Sequence, residues 1–144
     1  MGKKYILSAK SMQEADKATI EEIGIGQEVL MERAALAVVK RVEVYQPKRV
    51  LCVCGIGNNG GDGLAVARIL LMRGIEADVY MCGDLNKCKS SVKNQYVIFE
   101  KVGGKTITTL NFMEYDIIVD AIFGVGLGRS VEGIYAEVIN AINE

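Results

Sequence analysis

Histidine is missing from all 144 residues. That removes every mechanism needing an imidazole base, an imidazole metal ligand or a Ser-His-Asp triad. Proton transfer is left to carboxylates, tyrosine, lysine, a thiol or bound water. Net charge is nearly missing too: 17 Lys and Arg face 18 Asp and Glu, for a formal charge of −1. No overall field therefore draws the chain to nucleic acid or to an anionic membrane. No apolar run is long enough to cross a bilayer, and Met1 leads directly into the polar Gly2-Lys3-Lys4, so a cytoplasmic location is the expectation. Proline occurs once, at Pro47, and there is no repeat, low-complexity tract or interdomain linker. With half of its residues apolar, the chain suits one domain, 1–144, with a core of its own.

Cysteine is present but gives no framework. Cys52 and Cys54 lie two apart in a strand-like run, so both point to one face. With Cys82 and Cys88 they read as small buried hydrophobes. The paired spacing of a four-cysteine zinc site is lacking.

The apolar pattern alternates between helix and strand. Ser8 or Ser11 can cap a helix reaching Ile23, which Gly24-Ile25-Gly26 ends. A second helix runs from Gln27 to Tyr45. Its middle, Ala34 to Val39, is apolar almost all round, so cover on more than one side is expected, from the sheet and from the first helix or a partner subunit. Arg49–Cys54 reads as a strand, Asp62–Arg73 as a helix, Ala77–Cys82 as a strand and Lys87–Lys101 as a helix. Lys105–Thr109 reads as a short strand, Asp116–Phe123 as a strand buried on both faces, and Ile134–Asn143 as a closing helix. This order predicts an open, mostly parallel α/β sheet with ligands at the carboxyl ends of its strands.

Two glycine-rich loops fall at those ends. The first runs Gly55-Ile56-Gly57-Asn58-Asn59-Gly60-Gly61-Asp62-Gly63 and leads into a helix, whose N-terminal N–H groups attract anions. Gly55, Gly57 and Gly60 satisfy G-x-G-x-x-G, a weak signal alone. The fingerprint also wants an acidic residue to hold a ribose; Asp84 is the nearest and comes late. Asp62 at a helix start would repel a pyrophosphate, so the loop suits a hydroxyl, an amide or a cation better. Asn59 offers a neutral oxygen and Asp120 a charged one for a hard cation. The plainer alternative makes Asp62 a helix cap and the asparagines turn residues. The second loop follows Asp120: Gly124, Gly126 and Gly128 permit close backbone approach, and Arg129 with Ser130 can hold a phosphate or stand as solvated surface.

Together these stretches resemble one family. Ser11-Met12-Gln13-Glu14-Ala15-Asp16 through Ile25 is similar to its opening helix, and Val29 to Ala35 to its second. Gly57-Asn58-Asn59-Gly60-Gly61-Asp62-Gly63-Leu64-Ala65-Val66-Ala67-Arg68 is its most specific motif, and Asp120 to Leu127 resembles its second loop. The family is the YjeF N-terminal domain, the NAD(P)H-hydrate epimerases.

The resemblance implies a Rossmann-like three-layer αβα sandwich, usually dimeric, that interconverts the R and S forms of hydrated NADH or NADPH (NAD(P)HX). A dehydratase using one epimer, often fused in bacteria, is the implied partner. Potassium is the implied cofactor, with Asn59 and Asp120 as ligands. Substrate contacts fall to Asn58, Asn59, Gly60, Gly61 and Asp62, and to Gly124, Val125, Gly126, Leu127, Gly128, Arg129 and Ser130. The family pattern continues into a further strand and an Asp-Ile-Pro-Ser-Gly-like segment not reached by Glu144. The chain is therefore expected to lack the last strands and helices of such a domain, to show doubtful activity alone and to expose a sheet edge prone to self-association. The family's acid–base residue lies in that segment, which leaves the catalytic group unknown and Asp62 the best remaining candidate. Rival readings are a dinucleotide-dependent oxidoreductase, which the placement of Asp62 disfavours, and a non-catalytic nucleotide-binding or scaffold domain, which tends to lose the polar loop residues kept here.

Overall fold

The protein is described as a computed structural model over residues 5–144, so the reading of Met1–Lys4 lies outside the described residues. Helix α1 (Ala9–Ala18) is capped by Ser8, whose hydroxyl accepts from the Ser11 N–H at 3.1 Å. The helix widens into a π-type turn over Thr19–Ile23 before Gly24, at φ 85°, stops it. There follow α2 (Gln27–Glu43), β1 (Arg49–Cys54), α3 (Asn58–Met72), β2 (Glu76–Met81), α4 (Ser90–Lys101), β3 (Lys105–Ile107), β4 (Ile117–Ala121) and α5 (Ile134–Asn143). Single 3₁₀ turns at Leu85–Lys87 and Phe112–Glu114 lead into α4 and β4.

The four strands form one parallel sheet in the order β3-β2-β1-β4, with Cys52 registered between Val79 and Val119. The order reverses between β1 and β4. In open α/β sheets a ligand crevice lies at such a switch point, outside the carboxyl ends of the strands. Helices cover both faces. Val50, Cys52, Cys54 and Val79 pack with α2, α3 and α4 around Leu64, Leu70, Val92 and Phe99. Leu51, Val53 and Ile122 pack with Val138 and Tyr135 of α5. The expected three-layer α/β arrangement is therefore present. All four cysteines are buried and unbridged, Cys52 and Cys54 on one face.

The amino ends of the strands are closed by polar contacts. The Asp116 carboxylate accepts the N–H groups of Lys48 (2.7 Å) and Arg49 (3.0 Å). The Arg49 guanidinium meets Asp78 (3.0 Å), Glu114 (3.3 Å) and Glu76 (3.3 Å) and lies over the Tyr115 ring. Chemistry is left to the opposite end.

Several expectations need correction. Helix α3 begins at Asn58, four residues before Asp62, with extended Gly57 as its N-cap and no side-chain cap. Glycines at 60, 61 and 63 lower helix propensity, but they let this turn seat directly on the sheet. A Cβ on Gly63 would lie 2.5 Å from Ala121 Cβ and 2.7 Å from Cys54 Sγ, and one on Gly61 would lie 2.6 Å from Met31 Cε. Asp62 is thus inside the helix and caps nothing. Helix α2 buries one stripe only, Met31, Ala35, Val39 and Val42, while Leu36 and Val38 are exposed. Strand β4 is an edge strand whose Ile117, Ile118 and Val119 are half-buried, and Asp120 is exposed. No described helix is long and apolar enough to cross a membrane.

Candidate functional site

A cleft of about 1230 Å³ opens at the switch point. Its floor is the first turn of α3 and the chain leaving β4, and one wall is α1. Two backbone approaches bring the glycine loops together. A Cβ on Gly55 would lie 3.0 Å from the Ile122 carbonyl carbon, and the Gly55 N–H donates to Ala121 O at 2.9 Å. Asn59 Nδ2 then donates to Phe123 O at 2.9 Å. Both loops are therefore parts of one surface.

Asn58, Asn59 and Asp62 line the cleft with Gly124, Val125, Gly126, Leu127, Gly128 and Arg129. Gly60 and Gly61 are buried beneath it, where they serve helix packing. Ser130 and Asp120 are exposed and outside the lining. Gly60 and Gly61 donate to Gly57 O at 2.9 and 3.4 Å. The N–H groups of Asn58 and Asn59, first in the helix, remain for a ligand.

Asp62 is the group most suited to moving a proton. Burial, aided by the negative charge of Asp16 on α1, raises its pKa to about 6. A carboxyl at that value takes up and gives back a proton near neutral pH.

The donors for a cation are of two kinds. Asn59 uses its nitrogen on Phe123, which leaves Oδ1 as a neutral acceptor. Asp120 takes the Ile122 N–H on one carboxylate oxygen at 3.0 Å and keeps the other. A neutral amide oxygen and a carboxylate oxygen are hard donors of the kind that hard cations take, and neither thiolate nor imidazole stands beside them to favour a transition metal. No cluster of three or more Cys, Asp or Glu suited to a metal occurs among the described residues.

Sequence reasoning missed the α1 wall. Met12, Gln13, Asp16 and Lys17 of α1, continued by Ile20 and Glu21 of the π-type turn, form one helical stripe facing the cleft, and Gln13 Nε2 reaches Val125 O at 3.3 Å. The repeat at i, i+3 and i+4 was there to be read, but a mixed polar stripe resembles solvated surface. Lys89 and Tyr135 were also missed. Asp84, considered for a ribose, instead accepts the Asn86 N–H at 2.9 Å. A second hollow of about 500 Å³ lies between α2 and β4, lined by Val38, Val42 and Ile117–Val119 with Arg41 and Tyr45 as its polar members; it holds no carboxylate or amide.

A family model described as YjeF-related protein N-terminus matches residues 27–144. A protein of Oenococcus oeni named NAD(P)H-hydrate epimerase is 43% identical over 141 residues, covering 95% of this chain and 67% of that protein. Its namesake in Leuconostoc mesenteroides is 40% identical, with 96% and 63% covered. A Moorella thermoacetica protein named bifunctional NAD(P)H-hydrate repair enzyme Nnr is 37% identical, covering 97% of this chain and 29% of its own length. A crystal structure of the yeast protein ynu0 superposes with a TM-score of 0.84 at 26% identity, covering 96% of this chain and 65% of that one. The chain spans about two thirds of the length of the two epimerases described above.

Proposed function

The chain belongs to the family of YjeF-related protein N-termini, and from that premise we propose that its cleft takes hydrated NADH or NADPH and interconverts the R and S hydrates. The observation that carries this reading is the convergence of Asn58, Asn59 and Asp62 with Gly124–Arg129 on one cleft. The volume exceeds the roughly 300–1,000 Å³ typical of small-ligand sites, as a dinucleotide requires. The amides and free N–H groups of Asn58 and Asn59 suit a ligand rich in hydroxyl and carboxamide groups. Arg129 and Lys89 supply positive charge for phosphates.

Epimerisation at the hydroxyl-bearing carbon proceeds by ring opening or by loss and return of water. Either route needs a group that donates a proton and takes it back. Asp62, half-buried and with a pKa near 6, fills that role on this chain. Potassium, held by Asn59 and Asp120, would order the loops and polarise ligand oxygens. A dehydratase consuming one epimer is the natural partner, as the name of the Moorella relative suggests. A cytoplasmic homodimer remains the proposed setting.

The test supplies one purified hydrate epimer and follows its conversion by chromatography. Conversion faster than the spontaneous rate, and slowed by Asp62→Asn, supports the reading. Equal rates with and without the protein overturn it.

A further inference from the structure

We propose that Ser91 of α4 is a positioning residue of the cleft: its hydroxyl holds the oxygen of the Asn58 amide, so that Asn58 offers its NH2 group to whatever the cleft receives. The inference rests on the reading above for the identity of the ligand. It adds a residue outside the lining of the cleft that sets the polarity of one inside it.

Asn58 and Asn59 are neighbours at the start of α3, yet they are tied by opposite ends. Asn59 spends its nitrogen on Phe123 O at 2.9 Å and keeps Oδ1. Asn58 turns its oxygen to Ser91, whose Oγ donates to Oδ1 at 3.5 Å, and its Nδ2 has no protein acceptor among the described residues. One amide is left as an acceptor and the other as a donor. Asn58 is exposed on the cleft. An exposed amide with neither end held turns over, and it then presents its donor only part of the time.

Ser91 is suited to this task by its place. It is buried, at 8% exposure, and a buried hydroxyl needs a partner. It does not cap its own helix: the N-cap of α4 is Lys89, so Ser91 stands two residues too late for that role. Asn58, 33 residues away in sequence, is its side-chain partner. The first turn of α4 is pressed against the first turn of α3 beside this pair. The Lys89 N–H donates to Ile56 O at 3.4 Å, and Val92 Cγ2 would lie 3.7 Å from a Cβ on Gly61. These contacts bring the serine hydroxyl to the back of the Asn58 amide. The separation is long for an O–H···O bond, and functional hydrogen bonds often reach full strength only around a bound ligand.

Two measurements test this. Side-chain amide 15N relaxation is recorded, without ligand, for the protein and for Ser91→Ala. The order parameter of Asn58 should fall in the variant, and that of Asn59, held by Phe123 O, should not change. Equal order at Asn58 in both proteins overturns the proposal. So does an equal loss at Asn58 and Asn59, which would mark a general loosening of α3. One purified epimer of hydrated NADPH is then titrated into wild type, Ser91→Ala, Asn58→Ala and the double variant. Ser91→Ala should weaken binding about three- to tenfold, the cost of ordering one side chain afresh, and should weaken it no further once residue 58 is alanine. Equal losses in the two backgrounds overturn the proposal, because Ser91 would then act without Asn58. If Ser91→Ala does not fold, Ser91→Cys, a far weaker donor of similar size, takes its place in both measurements. Binding of the hydrate to none of the four proteins removes the nucleotide reading, and the relaxation result alone then decides the role of Ser91.

Discussion

Replacing Gly60 with alanine, beside a Gly57→Ala control, separates two reasons for a glycine in one motif. On Gly60 a Cβ would lie 2.6 Å from the Gly55 carbonyl carbon and 3.1 Å from its nitrogen, with the carbonyl oxygen nearer still. All three are backbone atoms, so no side chain can turn aside. Ordinary carbon contacts lie near 3.5–4.0 Å, so the end of β1 and the first turn of α3 would have to part by roughly an ångström. Overpacking of this kind costs about 1–3 kcal/mol, and with only backbone in the way the upper figure applies; the better helix propensity of alanine returns about 1 kcal/mol, for a net loss of about 2 kcal/mol. On Gly57, with φ −91° and nothing within 4 Å, a Cβ meets no obstacle, and the change should cost only about 0.5 kcal/mol, the disadvantage of alanine at an N-cap. A gap of about 1.5 kcal/mol between the variants follows. In urea unfolding it appears as a lower midpoint for Gly60→Ala at unchanged m, and in a thermal scan as a further drop of about 4–6 °C. A difference below about 0.5 kcal/mol between the variants would refute the claim that this glycine exists for backbone contact.

Asp62 binds its proton more tightly folded than unfolded, since its pKa is raised to about 6. The sign follows: stability is greatest below the unfolded value near 4, falls as pH rises towards 6 and stays lower above it. Asp62→Asn should therefore be more stable than wild type at pH 7–8, by about 1 kcal/mol once solvent screening is allowed for, with no such gain at pH 4. Asp116 works the other way. The N–H groups of Arg49 and Lys48 lower its pKa, so its contribution is present at neutral pH and vanishes as acid carries it below the ordinary carboxylate range; Asp116→Asn should flatten the acid limb of the stability curve. Phe99 is fully buried and lies against Gly104, so Phe99→Ala should cost about 3–5 kcal/mol in urea unfolding. Burial raises the Cys52 thiol to about 12 and Cys82 to about 11, so a thiol reagent at pH 8 should label none of the four cysteines until denaturant is added.

The parallel sheet could be read from the sequence because Val50–Cys54 and Ile117–Val119 are apolar without alternation, and because each leads on to a glycine-rich loop, at Gly55 and at Gly124. The start of α3 could not. Gly60, Gly61 and Gly63 read as loop by propensity; what overrides it is contact with Gly55, Met31 and Ala121, partners distant in sequence or hidden by the turn itself. Asp120 shows the converse. Its apolar neighbours suggest burial, yet Asp120 stands near the carboxyl end of β4, where its side chain is exposed among the described residues. The core of the site, Asn58, Asn59 and Asp62, was legible from residue type. Tyr135 was not, since an aromatic in a closing helix ordinarily signals packing, and only the path of Gly83 beneath it shows where it stands.

Helix α1 contributes no buried residue to either core. Its departure would sacrifice little besides its cleft-facing contacts, so it exchanges its amide protons by opening locally while the sheet stays intact. An occupant that touches Gln13 or Asp16 would slow that exchange, and the energy spent in quieting the helix comes out of the affinity measured. Limited proteolysis near Gly24 thus becomes a gauge of whether anything has been captured.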